Sequence, residues 1–244
     1  MPVGLIFFAV PEEATPFLKK AARDGHAPRS LPPLLPDTRR WAVGPHEVQV
    51  SGMGPRRAAA AADAVLRNAP PQWVITAGFA GGLNPAWQTG DVLSDLDPLF
   101  PIAFPTTRSG SFHCADQVAV TSSRKAALHQ SVGCDAVEME SGIIRNRCRD
   151  RSVPSATIRV ISDTATEDLP LDFNALMTAD HRMNFTRLAW DLVRSPGRIP
   201  ALLRFQKQLG IASDRLGETL VSAVFRKVPL HFVPFEIGAS RSCG

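Results

Sequence analysis

The stretch "VGLIFFAVPEE", residues 3–13, sets the frame for the whole chain. Its first eight residues carry no charge and no polar side chain. A strand with one wet face alternates apolar and polar residues, whereas a continuous run of this length fits a strand covered on both faces, as in a parallel sheet. The run has no basic leader and no small-residue cleavage site, so a secretory signal is not expected. It is also far short of the ~20 apolar residues that a membrane span needs. Pro11, Glu12 and Glu13 then open "EEATPFLKKAAR", which reads as a helix with acids in its first turn.

The same alternation continues downstream. "QWVITAG" (72–78) and "PSATIRVISDTA" (154–165) read as buried strands, the second ending in Ser162-Asp163. "PRRAAAAADAVLRNA" (55–69) reads as a helix with proline near its first turn. "RWAVGPHEVQVSG" (40–52) predicts a hairpin turning at Gly44-Pro45. "SRKAALHQSVG" (123–133) is a helix with serine at its start and glycine at its end. "DAVEMESGIIRNRCRD" (135–150) starts as a short strand and turns helical, and "GDVLSDLDPLF" (90–100) begins as a strand. "FAGGLNP" (79–85) reads as a glycine-rich turn and "QVAVTSS" (117–123) as a strand. Residues 24–36 and "TEDLPLDFN" (166–174) read as loops, and 101–116 as irregular. From about 174 to 224 the pattern is mostly helical, broken by "SPGRIP" (195–200), and the tail reads as an extended arm or partly disordered.

Strands alternating with helices predict a three-layer α/β/α fold around a mostly parallel or mixed sheet. With no internal repeat or low-complexity linker, one domain over residues 1–244 is expected. It divides into a core of about 3–175, a helical extension of about 176–225 and a tail, 226–244.

Composition is that of an ordinary globular protein: 44% hydrophobic, 20% charged, net charge +4 and a pI near 9.2. The basic residues are dispersed with acids between them, which speaks against a nucleic-acid-binding tail. Cys114, Cys134, Cys148 and Cys243 form no CxxC pair, and the six histidines show no ligand spacing, so no metal is expected. A chain of 244 residues with a substantial core suits free thiols in a reducing cytoplasm.

In open α/β sheets, sites gather at the carboxyl ends of strands. The sequence places five groups there: Pro11-Glu12-Glu13, "SGMG" (51–54), "GFAGG" (78–82), Glu138-Met139-Glu140 and Ser162-Asp163. An acid at the end of a buried strand is costly unless it is hydrogen-bonded or used. A dinucleotide fingerprint is not met, because Arg57 stands where a third small residue is required and no acid ends the next strand.

Together, "FFAVPEEA", "SGMG", "GFAGGL", "VEMES" and "VISDTA" resemble, in that order, the nucleoside phosphorylase and nucleosidase superfamily. The branch containing methylthioadenosine/S-adenosylhomocysteine nucleosidase is the most similar, over roughly residues 3–175. "RKAALHQSVGCDAVEMES" and "RSPGRIPALLRF" are similar to the hopanoid-associated phosphorylase-like branch. The resemblance implies cleavage of the N-glycosidic bond of a purine nucleoside, by hydrolysis or phosphorolysis. Asp163 matches the general acid on the leaving base, with Ser162 orienting it. Glu140 matches the clamp on the ribose hydroxyls, Met139 and Met53 cover the sugar, and Glu138 supports Glu140. Glu13 matches the acid that activates water, with Glu12 the neighbouring alternative. Gly78, Phe79 and Ala80 lie under the base and nucleophile.

Two departures bear on the nucleophile. Thr76 and Phe79 stand where phosphorolytic relatives carry arginine and serine, which favours water over inorganic phosphate as co-substrate. Arg56 or Arg57 is the remaining source of positive charge. Phe79 suits a hydrophobic 5′ group, such as that of a 5′-modified adenosine. No cofactor is implied, no nucleic-acid partner and no membrane span. A homodimer or higher homo-oligomer in the cytoplasm is the expected state. The alternative is a non-catalytic nucleoside-binding protein of the same fold.

Overall fold

β1 (Gly4–Phe8) is buried along its whole length, and its side chains divide between two cores with period two. Ile6 and Phe8 face one, to which α1 (Pro11–Arg23) adds Phe17 and α6 (Ile199–Phe225) adds Leu216 and Leu220. Leu5 and Phe7 face the other, against Ala58 and Ala62 of α2 (Pro55–Leu66) and Ile144 and Cys148 of α4 (Ser141–Arg149). Each leucine, isoleucine and phenylalanine among them contributes about 1.5–3 kcal/mol by leaving water. An uninterrupted apolar strand is therefore what a sheet sandwiched between two helical layers requires. The structure is a computed structural model and describes residues 3–67, 70–176, 197 and 199–226.

The other strands are β2 (Arg29–Leu31), β3 (Arg39–Val43), β4 (His46–Val50), β5 (Trp73–Gly82), β6 (Val92–Leu96), β7 (Arg108–Ser109), β8 (Phe112–Cys114), β9 (Ala136–Glu138) and β10 (Ser155–Asp163). The sheet runs β2-β3-β4-β1-β5-β10-β6-β7, with β9 joined to the end of β5 and β8 to β9. The centre, β4-β1-β5-β10, is parallel, so those four strands point their carboxyl ends at one edge. β3 and β6 pair antiparallel with β4 and β10, which makes the sheet mixed. Two further helices are α3 (Ser122–Val132) and α5 (Phe173–Leu176). Among the described residues, no helix is long and apolar enough to cross a membrane.

Several local expectations are corrected. Gly78–Gly82 is not a turn; it is the last half of β5, held in the ladder by β10 and β9. Residues 117–121 are not a strand. Their backbone groups bond elsewhere: Val118 N–H to Asn174 Oδ1 at 2.9 Å, and Val120 C=O to the Leu169 N–H at 2.8 Å. The stretches read as loop or irregular contain the short strands β2, β7 and β8. Cys114 and Cys148 are free thiols, whereas Cys134 is disulfide-bonded, against expectation. α3 is capped by the Thr121 side chain rather than by a serine, and Gly133 closes it in the left-handed conformation. The break at 195–200 and the tail fall largely outside the described residues.

Candidate active site

Glu13 is on the first turn of α1, just past the end of β1, and is buried, while Glu12 beside it is exposed. Its Oε2 accepts hydrogen bonds from the Ala9 and Val10 N–H groups (2.9 and 3.2 Å), which fold the side chain back over its own helix start. Its Oε1 accepts from the Phe79 N–H of β5 at 2.8 Å. Burial pushes its pKa up, and the positive charge of Arg159 opposes that push.

Arg159 is the residue that sequence reasoning missed. It sits inside β10, 2% exposed, opposite Gly78 in the register. A guanidinium so deep requires partners. Nη2 donates to Glu138 Oε2 at 2.5 Å and lies 3.9 Å from Glu140 Oε2. The other end of the fork reaches toward Gly78. A Cβ there would stand 2.5 Å from Glu13 Oε1 and closer still to Arg159 Nη1. Glycine at 78 is thus what lets a carboxylate from α1 and a guanidinium from β10 converge over β5. The sequence signal was available: one arginine within "ATIRVIS", an otherwise uncharged buried strand.

Glu138 and Glu140 reach this place because Gly81 and Gly82 of β5 pair with Val137 and Ala136 of β9. Glu138 accepts from the Glu140 N–H, the Ser141 N–H and the Ser141 hydroxyl as well as from Arg159. It braces the segment and neutralises the arginine, and these bonds and that charge hold its pKa down against burial. Glu140 takes the N–H of Gly54 at 2.9 Å, on the turn before α2. Burial, with the Glu138 charge adding to it, pushes Glu140 up to about 7. Met139 is buried between the two acids, and Met53 is half-buried on the turn whose Gly54 holds Glu140. The positive charge inside this cluster is that of Arg159. Arg56 is exposed, and Arg57 lies over Gly52 with Asp37 at 3.8 Å.

At the end of β10 a bulge between Ile161 and Asp163 sets Ser162 and Asp163 side by side, with Asp163 paired to Gly81. Ser162 Oγ reaches Asp163 Oδ1 at 2.5 Å and the Ala80 carbonyl at 3.2 Å. The other oxygen, Oδ2, accepts from Lys125 Nζ of α3 at 2.5 Å. Lys125 is a second residue not singled out in the sequence. The Phe79 ring packs against the core shared by α1 and α6, while its backbone N–H serves Glu13.

The expected residues therefore converge on one edge. Arg159, Glu138, Glu140 and Gly54 form one bonded network, and Glu13, bonded to the Phe79 N–H, approaches it over Gly78. Ala80, Ser162, Asp163 and Lys125 form a second, four residues further along β10. Comparison with known proteins gives this arrangement a family. The family model described as "Phosphorylase superfamily" matches residues 9–94 and 95–194. The chain belongs to this superfamily. Among solved structures it is similar to the futalosine hydrolase of Helicobacter pylori (20% identity, 91% of this chain, 96% of the other, TM-score 0.62). It is also similar to the 5′-methylthioadenosine/S-adenosylhomocysteine nucleosidase of the same organism, solved with butyl-thio-DADMe-Immucillin-A (20% identity, 91% and 97%, TM-score 0.62). A third is the nucleosidase of the same description from Campylobacter jejuni (18% identity, 91% and 97%, TM-score 0.61). At these identities the likeness is one of fold, shared along nearly the whole of each neighbour.

Proposed function

We propose that this phosphorylase-superfamily member is a purine nucleosidase that cleaves the N-glycosidic bond with water. The observation that carries the reading is the meeting of Glu13 and Arg159 over Gly78, at the sheet edge that also holds Glu140 and Asp163. Glu13, buried and raised in pKa, is suited to take a proton from a water molecule. Glu140 presents a carboxylate to the ribose hydroxyls and negative charge to the oxocarbenium-like sugar. Asp163 protonates the departing base. In the balanced step the C1′–N bond breaks and its electron pair passes to the base. The base nitrogen takes the Asp163 proton, the water oxygen bonds to C1′, and Glu13 takes the water proton. Free base and free ribose result, and both carboxyl groups re-equilibrate with solvent.

Electrostatics favours water over phosphate. Three buried glutamates, Glu13, Glu138 and Glu140, surround a single buried arginine. Arg159 is already held by Glu138 and Glu140, so a phosphate dianion added there would find its cation taken. Neighbours of this fold named futalosine hydrolase and methylthioadenosine/S-adenosylhomocysteine nucleosidase support a nucleoside substrate, and the second name supports a 5′-modified adenosine. The same reading carries a homo-oligomer acting in the cytoplasm without a cofactor. The test is base release from adenosine, inosine and methylthioadenosine, with and without phosphate, resolved by chromatography. Phosphate-independent release that Asp163→Asn abolishes is expected. Saturable binding without release would instead mark a nucleoside-binding protein, and formation of ribose 1-phosphate would mark a phosphorylase.

A further inference from the structure

α3 packs Leu128 and Val132, half-buried, against a small core, yet neither is its most buried side chain. Its hydrophobic positions are exposed or half-exposed, and its one fully buried side chain is Lys125. Burying an ammonium is expensive, and an apolar residue would fill the same space at lower cost. All three Nζ hydrogens are spent: on Asp163 Oδ2 at 2.5 Å, on the Thr164 carbonyl at 2.8 Å and on the Glu167 carbonyl at 2.8 Å. The two carbonyls alone would tie α3 to the loop after β10. The third bond goes to the group that the hydrolase reading makes the acid.

We infer that Lys125 is a positioning residue of the acid step, holding Asp163 and carrying the counter-charge when Asp163 gives up its proton. This rests on the nucleosidase reading. In that reading Asp163 enters the step as the acid. Afterwards it is a carboxylate 5% exposed to solvent, where water cannot solvate it well. The Lys125 ammonium, already fixed at hydrogen-bond distance, meets that charge as it forms. The attraction is stronger at the transition state than in the ground state, which is the condition for accelerating the chemical step. Ser162 completes the arrangement. Its one hydroxyl hydrogen has two acceptors in reach, the Ala80 carbonyl and Asp163 Oδ1. It can serve Ala80 while the acid is protonated and Asp163 once it is ionised. Among the described residues each Asp163 oxygen has one protein partner, which leaves a lone pair free to carry the proton that is donated to the base.

A purely structural lysine is distinguished by changing the leaving group. Wild type, Lys125→Met and Asp163→Asn are compared on methylthioadenosine and on 4-nitrophenyl β-D-ribofuranoside, whose phenolate departs without protonation. The expected result for Lys125→Met is a fall in kcat of about 10²-fold on the nucleoside with little change in KM, within the range a general acid supplies. Its kcat/KM on the nitrophenyl riboside should stay within about threefold of wild type, and Asp163→Asn should behave alike. Equal losses on both substrates in a folded Lys125→Met protein, or no loss on the nucleoside, would overturn the inference. If Lys125→Met does not fold, Lys125→Met/Asp163→Asn removes both buried charges together. Its nucleoside rate should equal that of Asp163→Asn alone, and a further fall would show that Lys125 does not act through Asp163. A wild-type chain that cleaves neither compound would sink the nucleosidase reading and this inference with it. An active wild type with an unimpaired Lys125→Met would sink the inference alone.

Discussion

Glu138→Gln is the most informative single change at this site, because it removes a charge while leaving the hydrogen bonds in place. Oε2 of Glu138 receives Arg159, the Glu140 N–H and the Ser141 N–H, and Oε1 receives the Ser141 hydroxyl, with the Cys114 thiol also against this carboxylate. A glutamine oxygen at the first position keeps three donors, and the serine can turn to accept from the new amide. What is lost is the partner of a guanidinium only 2% exposed. Breaking a buried pair from one side costs about 3–5 kcal/mol. Glu140, 3.9 Å from the same nitrogen, remains to re-pair, so we expect the lower end, about 3 kcal/mol. That is survivable against the ~5–15 kcal/mol stability of an ordinary domain.

The same change should alter the pH dependence of stability. Glu140 is raised from 4.5 to about 7, so between those values the folded chain holds a proton that the unfolded chain has lost. Its contribution is present below 4.5 and is lost as pH rises through 7, by roughly 3 kcal/mol in all at about 1.4 kcal/mol per unit. Removing the Glu138 charge should lower the Glu140 pKa and flatten this decline. The assay is urea unfolding of both proteins at pH 5 and pH 8, where other groups contribute alike and cancel in the comparison. A loss below about 1 kcal/mol at pH 7 would refute the pairing argument, as would an unchanged pH 5 to pH 8 difference.

Three further outcomes are expected. Gly78→Ala places a Cβ against Glu13 and Arg159 and should cut base release by about 10²-fold while far-UV circular dichroism stays native. Gly217→Ala places a Cβ 2.9 Å from Phe17 N and 3.0 Å from the Pro16 carbonyl carbon, where α6 crosses α1. Overpacking there should cost about 1–3 kcal/mol in urea unfolding despite the better helix propensity of alanine. His46 is pushed down to about 4 by burial against Trp73 and Phe225. The unfolded chain therefore takes up a proton between 6.5 and 4 that the folded chain refuses, and stability falls on acidification through that window. From pH 7.5 to 5, after discounting for partial solvent screening, the effect is about 1 kcal/mol, seen as a drop in Tm that His46→Gln reduces.

What was legible in the sequence follows from how locally each feature is determined. The two-sided burial of β1 shows in its unbroken apolar run. Glu13, Glu140 and Asp163 show as acids where strands should end, and the structure separates Glu13 from Glu12 by burial. Misreadings arose where tertiary contacts overrule local preference. Gly78–Gly82 has turn composition, but β10 and β9 on its flanks hold it extended, and its missing side chains admit Glu13 and Arg159. Val118 and Val120 alternate like a strand, but Asn174 and Leu169 take their backbone groups. Arg159 was visible and underweighted. Lys125 was not visible, because nothing in "SSRKAALHQSV" says which face is covered, and its partners lie some forty residues away.

The hold on the Glu138–Glu140 segment has a dynamic consequence. β9 is joined to β5 by two residue pairs, whereas β10 is joined to β5 by eight. Few rungs allow local opening well below the free energy of global unfolding. Alongside the three pairs that β9 makes with β8, the Arg159–Glu138 ion pair and the Gly54–Glu140 bond help to keep this short segment closed. Amide hydrogens at Val137 and Gly81 should exchange with solvent sooner than those at the centre of β1. Occupation of Glu140 by a sugar should slow that exchange, so that the segment reports ligand by becoming protected.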